Sequence, residues 1–407
     1  MTQIDILKFP NAVAARSLPS GRSRKLQRFR LREIVRQFTP NWFAATMGSG
    51  VLALALNQFP FAIPGLHETA RALWMFNIAL FVLFSLLYTA RWVFFFDGAR
   101  RIFGHPVASM FFGAIPMGLA TIVNGFLVFG VPLWGERAVA IAGALWRADV
   151  ALSLACGVLI PFLMFTRQDH SIAKMTAVWL LPVVAAEVAA ASGALLAPHL
   201  APSEAFGVVI ASYALWAFSV PLAMSLLVIL LLRLALHKLP EREMAASGWL
   251  ALGPIGTGAL GLLLLGADAP HIFAAAGLSG VGEVAFGVGV LGGVMLWGYG
   301  AWWLMLALLK TASYLLRGMP FNMGWWGFTF PLGVYALATL ALANVTHLAI
   351  FSAIGGGLTF GLAALWVIVA ARTAHGAWRG FLFVCPCLTV AETAGEIEAE
   401  EAAKALL

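Results

Sequence analysis

The sequence predicts an all-α membrane protein with ten transmembrane helices, arranged as five helical hairpins with quasi-five-fold symmetry around a central pore. The first observation is composition, because 61% of the 407 residues are hydrophobic and 11% are charged, with a mean hydropathy of +0.91. Such values exclude an ordinary soluble globular protein. The second is a series of apolar runs long enough to cross a bilayer. The third is a proline in every second run, which indicates a five-fold repeat.

The repeat is clearest in the stretch Gly324–Ala343, GWWGFTFPLGVYALATLALA, which holds Phe330 and Pro331. The related stretches surround Pro40, Pro116, Pro182 and Pro254. Intervals of 76, 66, 72 and 77 residues are too long for a solenoid unit and fit two spans with their loops. A proline removes a backbone donor and kinks a helix, and lipid tolerates the break only where protein or a water-filled cavity satisfies the freed carbonyl. We therefore expect the proline-bearing spans to line an interior path.

The predicted spans divide the chain into one membrane domain and two flanking segments. The transporter or channel domain covers 38–375, between a basic N-terminal segment, 1–37, and a C-terminal tail, 376–407. The ten spans are predicted at 41–60, 70–95, 107–130, 138–165, 175–197, 204–236, 246–266, 281–309, 324–346 and 350–373. No separate soluble domain is left over, which disfavours an attached enzyme or ATPase domain.

Positive charge sets the predicted orientation. The first 36 residues hold nine Lys or Arg and lack the apolar core of a cleavable signal peptide. With this end inside, 22 of the 25 Lys and Arg residues fall on the cytoplasmic side, which favours two cytoplasmic termini. Residues 22–38 mix basic and apolar side chains and fit either an interfacial helix or a disordered leader. We expect a multi-pass protein of a bacterial-type inner (plasma) membrane.

Small polar side chains on the proline-bearing spans are the candidates for lining a path. Apart from Lys174 at one end, these spans contain no Lys or Arg. Thr46 and Ser49 are three residues apart and so share a helix face, as do Thr121 and Asn124. The alternative stays open, because hydroxyls and amides also hydrogen-bond neighbouring helices in membranes. The pore-lining candidates are Thr46, Ser49, Thr121, Asn124, Thr257 and Thr339.

Ionisable residues inside the predicted spans are few. Arg147 and Asp149 fall in the fourth span and Glu187 falls in the fifth. Such groups are costly in a membrane and are candidates for function. Glu187 and Arg147 lie at similar depths in antiparallel spans, so they could form an ion pair. The alternative is an unpaired, protonatable Glu187 that acts as a proton-coupling site.

Signatures of catalysis, metal binding and nucleic-acid binding are missing from the sequence. Its eight His residues are isolated, and no Walker A loop or GxSxG motif occurs. Cys385 and Cys387 could bind a soft metal, but no third ligand lies nearby in the sequence. The net charge of +7 follows the predicted membrane topology rather than a nucleic-acid-binding patch. We expect no enzyme activity, no cofactor, no metal and no nucleic-acid partner.

Five segments carry a resemblance to a known family. They are FTPNWF with MGSGVLAL, FFGAIPMGLATI, WLLPVVAAEVAAASG, LGPIGTGAL and WWGFTFPLG. Together they resemble the tellurite-resistance/C4-dicarboxylate transporter family, which includes tellurite-resistance proteins, malate permeases, sulfite exporters and slow-type anion channels. The resemblance covers residues 38–375 and leaves out both tails.

The resemblance implies ten helices in five hairpins, with the odd-numbered helices inside around a pore, usually in a homotrimer. In this family a phenylalanine before the ninth-helix proline plugs the pore, and the matching residue here is Phe330, followed by Pro331. At the other four prolines the preceding residues are Thr39, Ile115, Leu181 and Gly253. Only the ninth helix therefore carries a bulky ring at this position.

The resemblance also implies passage of a small anion. FTPNWF and MGSG are closer to the malate and sulfite branch, so a C4-dicarboxylate such as malate or succinate, or sulfite, is the expected substrate. Because the path lacks fixed cations, selectivity would depend on helix dipoles, small donors and the positive potential of the basic rim. The alternatives are a passive gated channel for chloride or nitrate, a tellurite-resistance protein, and a structural membrane protein without transport.

Overall fold

A computed structural model describes residues 31–385 and 388 of the chain. The expectations for residues 1–30, for Cys387 and for the acidic tail lie outside these residues, whereas Leu31–Gln37 forms a short α-helix. The described residues are helical, without strands, which confirms the predicted all-α class. Nine helices in this part of the chain are long and apolar enough to cross a membrane, as a multi-pass membrane protein requires.

Ten helices carry the fold, numbered α1 to α10 in chain order. They are α1 Phe43–Asn57, α2 Leu66–Phe94, α3 Ala114–Gly125, α4 Glu136–Thr166, α5 Leu181–Leu196, α6 Pro202–His237, α7 Leu252–Ala267, α8 Ser279–Arg317, α9 Thr329–Thr346 and α10 Ala349–Arg379. The 3-10 segments that lead into the odd-numbered helices are Pro40–Trp42, Ala108–Gly113, Ala177–Leu180, Arg242–Trp249 and Met323–Phe328. Shorter segments between the ten helices include a π-helical turn, Phe126–Gly130, and two α-helices, Val131–Trp134 and Ala269–Ala275.

The first and the outer helices depart most from the predicted bounds. The span predicted at 41–60 contains an α-helix of only 15 residues, Phe43–Asn57, which at 1.5 Å per residue is about 22 Å long and shorter than a hydrocarbon core. The helix Ser279–Arg317 has 39 residues and continues well beyond the predicted limit at residue 309. A charged residue ends an apolar run in the sequence, but it does not end a helix that continues into the interface.

The five repeat prolines lie where 3-10 geometry gives way to α-helical geometry. Pro40 begins the 3-10 turn before α1. The other four, Pro116, Pro182, Pro254 and Pro331, are the second or third residues of α3, α5, α7 and α9. Each inner α-helix follows a 3-10 segment, so a proline in its first turn removes at most a bond to that segment and costs less than in a helix interior. The prolines therefore start the α-helical segments, where we had expected them to kink the spans.

The odd-numbered helices contact one another in a closed ring. α1 packs against α3, α3 against α5, α5 against α7, α7 against α9, and α9 against α1. Each even-numbered helix packs between two consecutive members of the ring: α2 between α1 and α3, α4 between α3 and α5, α6 between α5 and α7, α8 between α7 and α9, and α10 between α9 and α1. The chain thus alternates between an inner and an outer layer.

Burial separates the two layers. The apolar windows of α3, α5, α7 and α9 are 72% to 94% buried, whereas those of the even-numbered helices are 17% to 33% buried. In α1, 12 of the 15 residues are buried. The outer helices expose large apolar side chains, such as Phe165 and Leu316, which suits a surface that faces lipid.

Gly113, the last residue of the 3-10 segment before α3, marks a close approach to the backbone of α5. A Cβ atom at this position would lie 2.1 Å from the carbonyl oxygen of Leu181. Small residues at helix contacts let backbones pack together in lipid, where no hydrophobic force drives helix association. This contact joins the start of α3 to the start of α5, so it fixes two of the five helix beginnings relative to each other.

Candidate functional site

A cavity of about 580 Å³ opens at the face where the inner helices begin. All five inner helices, or the 3-10 segments that lead into them, contribute to its wall. Representative residues are Met47, Ala114, Leu181, Leu250 and Phe330. We call this cavity the vestibule. Its wall is mainly apolar, and the lining residues include the polar Asn41, Ser247 and Asn322 and one carboxylate residue, Glu243.

Phe330 lies at the closed end of the vestibule. It is 3% exposed, and together with Pro331 it lines both the vestibule and a second cavity. That second cavity measures about 20 Å³, which is room for about one water molecule. Met117 and Val184 also line it, so large apolar side chains close the interior at this level.

The position of Phe330 is set by packing around the start of α9. The Thr329 hydroxyl donates to the carbonyl oxygen of Trp326 at 2.8 Å. The indole N–H of Trp326 donates to Thr373 Oγ1 in α10 at 3.1 Å. A Cβ atom on Gly48 in α1 would lie 2.2 Å from Thr329 Oγ1, so α1 and α9 are in close contact here. Phe330 therefore belongs to a turn that is held from two sides.

Two of the predicted path-lining residues, Ser49 and Thr121, contact outer helices. The indole N–H of Trp366 in α10 donates to Ser49 Oγ at 3.0 Å. The Asn77 amide in α2 donates to Thr121 Oγ1 at 3.2 Å, and the Thr121 hydroxyl donates to its own helix. These bonds join the two layers, as the alternative interpretation of small polar residues expected.

Thr46 and Thr339 are likewise bonded to protein. The Thr46 hydroxyl donates to the Phe43 carbonyl oxygen at 2.7 Å and is fully buried. Thr339 Oγ1 accepts a bond from Trp297 in α8 at 2.9 Å. None of these four residues lines the vestibule or the second cavity.

Thr257 and Asn124 differ from the other candidates because each has a buried oxygen without a hydrogen-bond partner among the described residues. Thr257 lies four residues after Gly253, and Asn124 lies seven residues after Met117. Four and seven residues are about one and two helical turns, so each side chain shares a helix face with a residue that lines the second cavity. Both lie deeper than the two cavities and remain candidates for a polar contact along the axis of the ring.

The three predicted intramembrane charges separate in the structure. Glu187 is fully buried, and its Oε2 atom lies 3.2 Å from Ser219 Oγ in α6. Arg147 is exposed on α4, so the two do not form the ion pair we considered. Arg147 points away from Glu187 for a local reason. The neighbouring Trp146 bonds Ala189 of α5, and the side chain one residue further along the helix points about 100° away from Trp146. Asp149 is fully buried, and neither carboxylate oxygen has a partner among the described residues.

The segment after α10 contacts the vestibule, which sequence reasoning missed. Val384 contributes to the vestibule wall. Phe383 stacks on Trp42 with ring centroids 4.8 Å apart, and the Cys385 backbone N–H donates to Gln37 Oε1 at 2.7 Å. The available signal was the apolar run of residues 381–384 after the basic end of α10, which we had assigned to the tail.

Metal-ligating side chains do not cluster in the described part of the chain. No three His, Cys, Asp or Glu side chains there come close enough together to hold a metal ion. In the vestibule wall, the Ser247 hydroxyl donates to the Met244 carbonyl oxygen at 2.6 Å rather than to Glu243. The chemistry of the vestibule is that of a path or a binding cavity with an apolar wall.

The structure has a buried inner layer and an exposed outer layer of apolar helices, with a cavity at the centre of the inner ring. This arrangement defines a multi-pass membrane protein whose candidate site lies within the helix bundle. Residues 37–374 match the SLAC1 family, described as voltage-dependent anion channel, and the chain belongs to this family. The residues that carried the resemblance in the sequence lie within the match, so that assignment is confirmed.

The similarity to known relatives extends over most of the chain. A sulfite efflux pump of Arthroderma otae is 38% identical over 352 residues, covering 86% of this chain and 93% of the relative. A malic acid transport protein of Schizosaccharomyces pombe is 24% identical over 350 residues, covering 83% and 78%. An uncharacterized transporter of Methanocaldococcus jannaschii is 29% identical over 353 residues, covering 86% and 96%. The chain is therefore similar to transporters of small anions along nearly its whole membrane domain.

Proposed function

We propose that this protein moves sulfite across the plasma membrane along the axis of the inner ring, with malate or another C4-dicarboxylate as the second candidate substrate. Sulfite comes first because the relative at 38% identity is named a sulfite efflux pump, whereas the named malic acid transport protein is 24% identical. The observation that carries the proposal is the vestibule, which all five inner helices or the 3-10 segments that lead into them line and which narrows to Phe330.

The vestibule suits an anion that must lose water gradually. The starts of the inner helices and the 3-10 segments before them border it, and the positive ends of helix dipoles favour negative charge. Among the described residues that line it there is no Lys or Arg, so none of these would hold an anion tightly. Conduction requires binding that is favourable enough for entry and weak enough for release. An anion attracted by dipoles rather than by a buried cation satisfies both conditions.

Phe330 is the proposed gate. Its ring offers no hydrogen-bond donor to an anion, and the space beyond it holds about one water molecule. A sulfite ion at this level would have to give up its hydration without replacement, which is a steric and dewetting barrier. Movement of the ring or of the first turn of α9 would open the path. We propose that Thr257 and Asn124, which lie deeper on the inner helices, then supply polar contacts.

The architecture we propose has ten spans in five hairpins with quasi-five-fold symmetry. The closed ring of inner helices and the placement of each outer helix between two inner ones support it. The short α1 would cross the membrane together with the 3-10 turn that precedes it, and neighbouring helices would bury it. We further propose cytoplasmic termini, from the positive-charge count, a homotrimer, from the family resemblance, and no catalytic activity.

Anion flux into liposomes tests the proposal. Purified full-length protein is reconstituted, and uptake of sulfite, malate, succinate, chloride and nitrate is compared with that of empty liposomes. We expect sulfite flux above the background and above malate flux. Chloride and nitrate flux larger than sulfite flux would instead indicate a passive inorganic-anion channel, and no flux of any anion would overturn the proposed function.

A further inference from the structure

Glu187 is a fully buried carboxyl group at the contact of α5 with α6. Its Oε2 atom lies 3.2 Å from Ser219 Oγ, and its Oε1 atom has no partner among the described residues. We propose that Glu187 is a proton-binding site that holds its proton while the path is closed, and that losing this proton favours opening next to Phe330. This inference builds on the proposed anion transport and adds proton control to it.

The hydrogen bonds of Ser219 indicate where the proton lies. Ser219 Oγ is 2.8 Å from the carbonyl oxygen of Val183. A carbonyl oxygen can only accept, so the single hydroxyl proton of Ser219 is used in that bond. Because that contact is shorter than the 3.2 Å contact with Glu187, we assign the hydroxyl proton to the Val183 bond and the proton of the second contact to the carboxyl group. A protonated Glu187 donates to Ser219 Oγ, whereas a carboxylate there would draw the Ser219 hydroxyl away from the Val183 carbonyl oxygen.

Among the described residues, the helices packed against α5 bring no cation next to Glu187. α3 and α7 contain no ionisable residues. On α4, Arg147 is exposed and Asp149 is itself a buried carboxyl group, with Cys156 two turns further along. The remaining groups of α4 and α6 are Glu136 and Arg137, which are exposed at the start of α4, and Glu204, Tyr213, Arg233 and His237 on α6.

The nearest buried cation on α6 is too far away to neutralise Glu187. Arg233 is 14 residues from Ser219, which corresponds to about 21 Å along the helix. Its guanidinium already donates to the carbonyl oxygen of Ala173 at 2.7 Å. An ionised carboxylate that is buried without a partner is so costly that such a group takes up a proton instead. Charge and hydrogen bonding thus agree on a neutral Glu187.

The proton site is mechanically connected to the gate. Ser219 joins Glu187 to Val183 in the first turn of α5. The next residue, Val184, lines the small cavity together with Phe330. Loss of the proton would turn the Ser219 hydroxyl from Val183 to Glu187 and place a charge that one hydroxyl cannot solvate alone. The first turn of α5 would then move to admit water, and it forms part of the wall around the Phe330 ring.

Proton linkage fixes the direction of the effect. The closed conformer binds the Glu187 proton more tightly than a conformer in which Glu187 is hydrated, so acid favours the closed path and alkali favours the open one. A Glu187→Gln variant keeps a donor for Ser219 but cannot ionise. It should therefore behave as though it were permanently protonated and closed.

Flux measured from acidic to alkaline pH tests this switch in the full-length chain in liposomes. The matched control is Glu204→Gln, which removes an exposed carboxylate from α6. Because substrate ionisation changes equally for all variants, the difference between variants isolates Glu187. We expect flux to rise with pH in the wild type and in Glu204→Gln, and to stay low and lose this rise in Glu187→Gln. A wild-type pH profile in Glu187→Gln would overturn the switch.

Infrared spectroscopy tests the proton site without relying on transport. A protonated carboxylic acid has a carbonyl-stretch band that a carboxylate lacks, so wild type minus Glu187→Gln should give such a band at neutral pH. A difference spectrum without it would overturn the proton site. If no variant moves any anion at any pH, the proposed function and the switch both fail, while the band still decides whether Glu187 holds a proton.

Discussion

The indole N–H of Trp297 in α8 donates a hydrogen bond to Thr339 Oγ1 in α9 at 2.9 Å. The Thr339 hydroxyl in turn donates to the Tyr335 carbonyl oxygen at 2.7 Å. Both bonds lie within the protein and join the outer layer to the inner ring. A threonine that looks from the sequence like part of a path is therefore used to attach an outer helix, and its single hydroxyl proton is already donated within the protein.

Thr339→Val should destabilise the protein and leave the selectivity of transport unchanged. Valine keeps the shape but leaves the Trp297 N–H without an acceptor, and hydrogen bonds between membrane helices average about 0.6 kcal/mol. The matched variant is Thr257→Val, whose hydroxyl has no partner among the described residues. It should leave the midpoint of thermal unfolding unchanged and alter anion flux. If Thr339→Val altered anion flux and Thr257→Val lowered the unfolding midpoint, this would contradict the assignment of Thr339 to a helix contact and of Thr257 to the path.

Gly113→Ala should destabilise the inner ring. The added Cβ atom would meet the Leu181 carbonyl oxygen at 2.1 Å, and backbone cannot move aside as a flexible side chain can. Overpacking of this kind costs about 1–3 kcal/mol. Thermal unfolding in detergent measures the loss. Gly361→Ala on α10 is the control, because a Cβ atom there meets nothing within 4 Å. Equal unfolding midpoints for the two variants would show that α3 and α5 do not approach as closely as described.

Arg91→Lys should destabilise the contact between α2 and the segment after α10. Arg91 is fully buried, and its guanidinium donates to the carbonyl oxygens of Phe38 and Gly98 and to Cys385 Sγ. An ammonium group cannot reproduce this planar fork, and an unsatisfied buried acceptor costs about 1–3 kcal/mol. The exposed Arg101 provides the control, Arg101→Lys. An unfolding midpoint for Arg91→Lys that matches both the control and the wild type would disprove this role.

His105 should make stability depend on pH. Its Nδ1 atom accepts from the backbone N–H groups of Val107 and Ala108, and burial lowers the pKa of His105 below its usual 6.5. A lowered folded-state pKa means that the unfolded chain binds the proton more tightly. The stabilisation is therefore complete above pH 6.5 and is lost as the pH falls through the folded-state pKa.

The matching variant is His105→Asn, because an asparagine side chain can accept from the same backbone N–H groups without titrating. We expect the unfolding midpoint of the wild type to fall more steeply below neutral pH than that of His105→Asn. The exposed His375 on α10 provides the control, His375→Asn, which should keep the wild-type slope. Parallel slopes for wild type and His105→Asn would contradict the assignment.

Sequence and structure agree on the alternation of inner and outer helices. They differ on which face of an inner helix points to the axis. Apolar runs and the proline interval predicted the alternation of layers because lipid imposes long apolar helices and buried ones tolerate proline only at special positions. They could not tell which face of an inner helix points to the axis, because every face of such a helix is apolar or small. Ser49 and Trp366 show this, since their bond depends on a residue 317 positions away in the chain.

The charges illustrate the same limit at the scale of one residue. Depth in the membrane suggested that Glu187 and Arg147 could pair, but rotation about the helix axis decides whether two side chains at one depth can meet. The buried Trp146 fixes that rotation for α4 by its bond to Ala189. Such a bond depends on tertiary packing, and the local sequence contains no period that reveals it.

The measurement that tests the central claim most directly is sulfite flux through Phe330→Ala in liposomes. Removing the ring should raise flux about tenfold or more, which corresponds to a barrier that is lower by about 1.4 kcal/mol or more. It should also reduce the discrimination between sulfite and malate. The control is Phe328→Ala, which removes an equally buried ring that packs on Trp249 and Trp325 and lines neither cavity. Higher flux in Phe330→Ala alone is the result we predict, and wild-type flux in equal amounts of folded Phe330→Ala would contradict the gate.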